Sequence, residues 1–233
     1  MSSTATNPKK GEPTFHHLNN SQSQRVLWFL EELGIPYNLV LHKRVSGRAP
    51  PELKDVHFLG KAPVLVTPAP ESRAIAETSA IMSYLLQTYD TSGRFASADP
   101  IRDEMLSSFA GATMGTIGMI ELVFEIIAQK SPWPLSTLLG AVKGQVHGGF
   151  TGPEYKVQLE FLERELGGRE WFNGEGLGRA DVMLSWPLDF LAAKGYADLE
   201  GYPKIVQWRK RVQGRDAWKR ALEKGNGYEL AKI

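Results

Sequence analysis

The sequence predicts an α/β half followed by an all-helical half. Three observations carry this. Residues 14–89 alternate short β-type apolar runs with helix-periodic stretches. Asp90–Pro100 is a polar linker containing Ser92, Gly93, Ser97 and Pro100. From Asp103 onward nearly every stretch has helical periodicity. The expected organisation is a disordered polar tail over 1–13, an α/β domain over 14–90, a linker over 91–102 and an all-helical domain over 103–233.

The elements follow in order. Thr14–Leu18 reads as a first strand, and the polar loop Asn19-Asn20-Ser21-Gln22-Ser23-Gln24 follows it. Arg25–Leu33 reads as a helix with Val26, Leu27, Leu30 and Leu33 on one face and Glu31 and Glu32 turned outward. Gly34 ends it and Pro36 prevents resumption. Tyr37–His42 reads as a second strand, and Glu52–Val56 as a short helical stretch opened by Pro50 and Pro51. Val64–Val66 starts directly after Pro63 and has a buried-strand pattern; Arg73–Ala76 completes a hairpin across the turn at Pro68–Glu71. Thr78–Tyr89 is a helix with Ile81, Met82 and Leu85 on its apolar face. The order β-α-β, connection, β-β-α is the thioredoxin-like plan.

In the second half, Asp103–Gln129 is a long helical pattern weakened by Gly111, Gly115 and Gly118, and Pro132 and Pro134 break it. Helices are expected over Leu135–Val146, Pro153–Leu166, Ala180–Lys194, Tyr202–Gln213 and Ala217–Lys224, with Ala180–Lys194 the buried central one.

Composition narrows the function. Of 233 residues, 42% are hydrophobic and 23% charged, with a net charge of +1. No global field gathers nucleic acid or an anionic membrane, so neither is expected as a partner. The chain has no cysteine, which excludes disulfides and any protein thiol acting as nucleophile or metal ligand. No apolar run is expected to approach the ~18–20 residues of a membrane span. Met1–Pro13 lacks the apolar stretch of a secretory signal, and the expected location is the cytoplasm.

One pair of residues points to a ligand by its chemistry. Thr78 opens a helix, where unpaired N–H groups and a positive dipole end favour an anion. A ligand carboxylate can accept from the Thr78 hydroxyl and N–H while Glu77 pairs with a neighbouring ammonium. The histidines His16 and His17 are adjacent on a strand and point to opposite faces. No convergent ligand set for a metal is present, and none is expected.

These motifs resemble the cytosolic glutathione transferases over nearly the whole chain after the tail. Asn19-Asn20-Ser21 before a helix ending Leu30-Glu31-Glu32-Leu33-Gly34, with Arg48-Ala49-Pro50-Pro51-Glu52-Leu53 and Gly60-Lys61-Ala62-Pro63, resembles a yeast-type subgroup of the fungal and bacterial branch with a Ser-type, theta-like loop. Glu77-Thr78-Ser79-Ala80-Ile81 is similar to the family's Glu-Ser-x-Ala-Ile, with Thr for Ser. The resemblance implies glutathione as co-substrate, its γ-glutamyl end at Glu77 and Thr78. It implies a cis-proline at Pro63 that turns the Ala62 backbone toward the cysteinyl unit, and Lys61 at the glycine carboxylate. A homodimer is implied as well.

The thiol needs activation, because an ordinary thiol with pKa ~8.5 is only a few per cent thiolate at pH 7. A hydrogen bond to a charged group supplies ~1.5–3 kcal/mol, or about one to two pKa units. Ser21, four residues before Arg25, matches the serine of Ser-type members and is the first choice as thiolate donor, with Asn20 and Ser23 in reserve. Arg25 can lie near this loop, but a structural ion pair is its expected role. No loop tyrosine or cysteine offers the other family mechanisms. Gly178-Arg179-Ala180-Asp181 resembles the family's Ser/Thr-x-x-Asp capping box with Gly178 in place of the hydroxyl residue, a folding feature. On the acceptor side, Gly111–Ile117 departs from the paired-proline pattern of relatives; His17, Met114 and Ile117 are expected to line an acceptor pocket, with Phe124 a further apolar candidate. The leading reaction is addition of the glutathione thiolate to a largely apolar electrophile. The rivals are a glutathione-using isomerase, lyase or ring-forming enzyme of a biosynthetic pathway, a peroxidase-like enzyme, and a non-catalytic binding protein.

Overall fold

The computed structural model describes residues 11–233, so most of the expected tail lies outside the described residues. The elements are β1 (Thr14–Leu18), α1 (Ser23–Leu33), β2 (Asn38–His42), α2 (Leu53–Val56), β3 (Val64–Val66), β4 (Ala74–Ala76), α3 (Thr78–Tyr89), α4 (Pro100–Ser108), α5 (Gly115–Lys130), α6 (Leu135–Val146), α7 (Gly152–Leu166), α8 (Arg179–Lys194), α9 (Pro203–Gly214) and α10 (Asp216–Lys224). The chain forms two compact units. The first contains residues up to Ala96 together with Arg211–Ile233; the second is Ser97–Lys210.

The first unit is thioredoxin-like, a four-stranded sheet in the order β2-β1-β3-β4. β1 and β2 are parallel, and β3 is antiparallel to both β1 and β4. Phe15 and Leu65, paired across β1 and β3, are fully buried with Val26, Leu27, Leu30, Ile81 and Leu85 of the helices. Gly34 ends α1 in the left-handed region at φ 66°, its N–H donating to Leu30 C=O.

The outward placement expected for Glu31 and Glu32 is corrected: they are only 7% and 5% exposed. Ten of the eleven α1 residues are buried, because α10 covers the side of the helix away from the sheet. Trp28 and Trp218 pack edge to face at 5.3 Å. Glu31 receives Lys224 Nζ at 2.5 Å, Tyr37 Oη at 2.5 Å and Arg220 Nε at 3.0 Å. Glu32 receives Trp28 Nε1 at 2.8 Å and the Arg215 guanidinium, Nη2 at 2.8 Å and Nε closer still.

The second unit is all helical. α4 and α5 are joined through a π-turn at Phe109–Met114, and α6 and α7 through another at His147–Thr151. Glycines cluster at both; a Cβ at Gly152 would lie 2.8 Å from the His147 carbonyl oxygen, whereas Gly111, Gly148 and Gly149 face open space. Pro100–Lys130 is therefore one 31-residue helical stretch. An 18-residue window in it has a mean hydropathy of 1.5, long and apolar enough by composition to cross a membrane. This corrects the expectation that no such run exists; small residues dilute the apolar ones without lowering the average below that of a span. A third of the window, 33%, is buried within the structure.

α8 is the buried centre of this unit. Asp181, fully buried near its start, accepts from the N–H groups of Phe172, Asn173 and Gly178 and from Trp208 Nε1 at 2.7 Å. Gly178 has a physical reason: a Cβ there would lie 2.3 Å from Asn173 Cγ, so the asparagine side chain fills the space a cap hydroxyl needs. Asp103 completes the start of α8 from α4, accepting from Ala180 N–H at 2.9 Å and Arg179 Nε at 2.8 Å.

Candidate active site

The strand register gathers the candidate residues of the first unit. His16 pairs with Val64, and Val64 pairs with Ala76. Continuing each ladder by one residue sets Pro63 between His17 and Glu77. The C-terminal end of β1, the N-terminal end of β3 and the C-terminal end of β4 thus meet at one end of the sheet. That end carries the Asn19–Gln22 loop, Lys61–Pro63 and Glu77–Thr78.

Glu77 and Thr78 come first, because the backbone there is unusual. Glu77 has φ 67° and ψ 124°, outside the regions that non-glycine residues ordinarily occupy. The turn ends β4 and starts α3 within one residue. The first intrahelical bond is Ile81 N–H to Glu77 C=O, so the N–H groups of Thr78, Ser79 and Ala80 precede the ladder as donors. Glu77 is exposed and Thr78 is 4% exposed. The Ala62–Pro63 peptide is cis, Pro63 is buried and Lys61 is exposed.

In the loop after β1, Asn20 is in the left-handed region at φ 48°, a conformation asparagine tolerates better than most residues. The chain's last segment holds it there. Asn20 N–H donates to Gly227 C=O at 3.0 Å, and Asn20 Oδ1 accepts from Glu229 N–H at 2.7 Å. Arg44 Nη2 donates to the Asn20 carbonyl at 3.1 Å. Ser21 is 5% exposed; its Oγ lies 2.7 Å from Leu18 C=O and 2.8 Å from Ser23 Oγ, and accepts from Ser23 N–H at 3.1 Å. Its single hydrogen is used internally, so donation to a ligand thiolate requires the hydroxyl to turn away from Leu18 or Ser23. Ser23 is fully buried.

Arg25 ties the two ends of this site together. It is 3% exposed, and its Nη2 donates to Gln22 Oε1 at 2.5 Å and to Thr78 Oγ1 at 3.2 Å. Burial lowers its pKa to about 10, against opposing contributions from Tyr228 and Glu77, so it stays a cation. Its contacts set it between the loop and Thr78 rather than in the ion pair alone that the sequence suggested, with the Glu77 carboxylate close enough to raise its pKa. The signal in the sequence is an arginine in the first turn directly beside the apolar pair Val26–Leu27. No local signal marks Gly227 and Glu229, which reach the loop from the far end of the chain.

His17 is fully buried. Burial, with a smaller contribution from His42, lowers its pKa to about 4; the Ser23 backbone opposes this without forming a well-made hydrogen bond, and neither ring nitrogen has a partner. Next to it His16 Nδ1 lies 3.0 Å from His42 Nε2, and burial, then His42, lowers the His16 pKa to about 4. Met114 and Ile117 belong to the second unit, where they are 1% and 8% exposed. Among the described residues no group of three or more metal-ligating side chains gathers.

The arrangement in the first unit sets a helix start, with N–H groups ahead of its ladder, beside an acidic side chain, the half-buried Ala62 before the cis-proline, and hydroxyl and amide groups in one loop. Comparison with known proteins finds relatives of both halves of the chain. The glutathione S-transferase N-terminal domain matches residues 21–88, and the glutathione S-transferase C-terminal domain matches residues 152–216. The chain is 30% identical over 218 residues to glutathione S-transferase 1 of Saccharomyces cerevisiae, covering 90% of this chain and 93% of the relative. It is 28% identical to glutathione S-transferase 3 of Schizosaccharomyces pombe, covering 90% of this chain and 86% of that one. Among solved structures, a glutathione S-transferase from Actinobacillus pleuropneumoniae superposes with a TM-score of 0.70 at 29% identity, over 95% and 96% of the two chains. A glutathione transferase from Phanerochaete chrysosporium, solved with oxidised glutathione, shares the fold at 20% identity with a TM-score of 0.73, over 92% of this chain and 95% of that one. With both halves matched and a relative covered over almost its full length, the chain belongs to the glutathione S-transferase family of enzymes.

Proposed function

We propose that the protein activates the thiol of glutathione and adds the thiolate to an electrophilic, largely apolar molecule. The observation that carries this reading is the meeting of Glu77–Thr78, Ala62–Pro63 and the Asn20–Ser21 loop at one end of the sheet. The γ-glutamyl carboxylate sits on the N–H and hydroxyl of Thr78, and its ammonium faces Glu77. The cysteinyl backbone pairs with Ala62, and Lys61 receives the glycine carboxylate. Arg25 occupies a lone pair of Thr78 Oγ1, which leaves the Thr78 hydrogen for the ligand. Ser21 Oγ and the Asn20 amide are the donors to the sulfur. Catalysis then consists of a lowered thiol pKa and positioning. The protein works as a cytoplasmic homodimer in this reading, as its family resemblance implies.

The test is glutathione binding by calorimetry beside turnover of a generic aryl halide. Ser21→Ala lowers kcat by about 10–100-fold, the effect of losing a hydrogen bond to a charged group, and leaves glutathione affinity within about twofold. Thr78→Val and Glu77→Gln each weaken glutathione binding about tenfold and spare kcat. Wild-type protein that fails to bind glutathione ends this reading; binding without turnover leaves a glutathione-binding protein of the same fold.

A further inference from the structure

The last residues of the chain return to the loop after β1 and hold one of its side chains. Three anchors fix this segment within the first unit. Asn226 Nδ2 donates to His42 C=O at 2.7 Å, the Tyr228 ring meets Trp218 of α10 edge on at 5.6 Å, and Leu230 is buried. Gly227 and Glu229 alternate with these anchors and face Asn20. Gly227 C=O accepts from Asn20 N–H at 3.0 Å, and Glu229 N–H donates to Asn20 Oδ1 at 2.7 Å. Gly227 has φ 130°, a conformation that side chains disfavour, and a Cβ on it would stand 3.4 Å from Asn20 Oδ1. Glycine lets the segment pass this close.

These contacts do more than tether the backbone, because they choose the orientation of an amide. A backbone N–H can only donate, so the Asn20 side-chain atom facing Glu229 is the oxygen. The nitrogen and its two hydrogens take the other branch of the amide, and no group among the described residues accepts from them. Asn20 is half-buried, and this nitrogen is not enclosed. Arg44 Nη2, on the Asn20 carbonyl at 3.1 Å, and the left-handed φ of 48° fix the backbone that carries it. Ser21 differs: its hydrogen has two acceptors close by, Leu18 C=O at 2.7 Å and Ser23 Oγ at 2.8 Å. Of the two proposed sulfur donors, Asn20 is the one with uncommitted hydrogens, oriented before a ligand arrives.

We propose that the backbones of Gly227 and Glu229 are positioning groups for the thiol: they hold the Asn20 carboxamide with its NH2 group free for the glutathione sulfur, and so set how strongly the thiolate is stabilised. This assignment rests on the glutathione reading above and adds the end of the chain to that site. The Glu229 carboxylate is not the group that acts; it is exposed and pairs with Lys232.

Two substitutions at one position separate the backbone N–H from the side chain. Glu229→Pro removes both, and Glu229→Ala removes the carboxylate alone. The measurement is the pKa of the bound glutathione thiol, read from the ultraviolet absorbance of the thiolate against pH. That pKa should be about one unit higher in Glu229→Pro than in Glu229→Ala, the effect of one hydrogen bond to a charged group. Affinity for glutathione with its thiol protonated should agree within about twofold between them. Asn20→Asp keeps an acceptor for Glu229 N–H but no hydrogen for the sulfur, and should raise the thiol pKa at least as far as Glu229→Pro. In the wild type, the Asn20 side-chain NH2 signals in a ¹⁵N spectrum should shift with saturating glutathione, a test that needs no variant to fold. Equal thiol pKa values in folded Glu229→Pro and Glu229→Ala overturn the proposal. So does an unchanged pKa in Asn20→Asp, or Asn20 signals that do not shift. Wild-type protein that does not bind glutathione ends the glutathione reading and this assignment together. Wild-type binding with a lowered thiol pKa that Glu229→Pro leaves alone ends only the positioning role.

Discussion

In the first unit Glu31 and Glu32 are buried against cations; in the second, Asp181 is buried against neutral N–H groups. The outcomes differ in sign. At Glu31 burial raises the pKa, and hydrogen bonds from Lys224, Tyr37 and Arg220 outweigh it, so the net shift is downward. At Asp181 burial wins over Trp208 and three backbone N–H groups, and the pKa is raised to about 6. Four neutral donors do not replace one formal charge when the acid is fully enclosed. The first arrangement borrows its cations from a helix almost two hundred residues away; the second is built mostly from neighbours in sequence.

The largest expected effect separates the two directly. Asp181→Asn places amide hydrogens against donors and destabilises the second unit by about 3 kcal/mol. Glu32→Gln keeps the Trp28 hydrogen bond and leaves the partly exposed Arg215 in reach of water, and costs about 1 kcal/mol. Urea unfolding of both variants beside wild type measures the ratio; equal losses would erase the distinction between charged and neutral partners.

Acidification tests the same contrast. The pKa values of His16 and His17 fall from 6.5 in the unfolded chain to about 4 in the fold. The unfolded state therefore binds more protons between those values, and stability is lost as pH falls from 6.5 toward 4. The lowered Glu31 pKa acts in the same direction. Asp181 acts oppositely: its raised pKa makes the folded state the better proton acceptor, and its contribution is lost as pH rises through about 6. Hydrogen exchange at pH 7 and pH 5 should show α1 losing protection relative to α8. Each histidine contributes up to about 1.4 kcal/mol per pH unit. His17→Gln should flatten the response of α1.

The smallest effect sharpens the account of α8. Gly178→Ser restores the hydroxyl of the family capping box yet should cost about 1–2 kcal/mol, because its Cβ meets Asn173. Asn173→Ala in the same chain should recover most of that loss in thermal unfolding. Additive losses in the double variant would contradict the steric explanation.

Local features were legible in the sequence. Thr78–Tyr89 and Leu135–Val146, read from periodicity and flanking breakers, are the helices formed. The candidate site residues between Asn20 and Thr78 were readable for the same reason: each belongs to a strand end, a proline turn or a helix start. The π-turns were not, since Gly111 and Gly148 show only that a helix is weakened and not that its turn is widened. Nor was the burial of Glu31 and Glu32. On α1 alone they lie away from the apolar face, and only the return of α10 gives that side a covering. The hydrogen bond from Glu229 to Asn20 and the reach of Arg25 to Thr78 depend likewise on segments the local pattern does not join.

The clasp of Gly227 and Glu229 on Asn20 has a consequence for synthesis. Most of the thioredoxin-like unit leaves the ribosome before the helical unit, yet α10 and the segment that fixes its loop leave after it. The helical unit is made in between and can fold while the chain is still tethered. The unit begun before the helical one is therefore completed after it, and the loop proposed to meet the thiol takes its final shape only once Gly227 and Glu229 have been made.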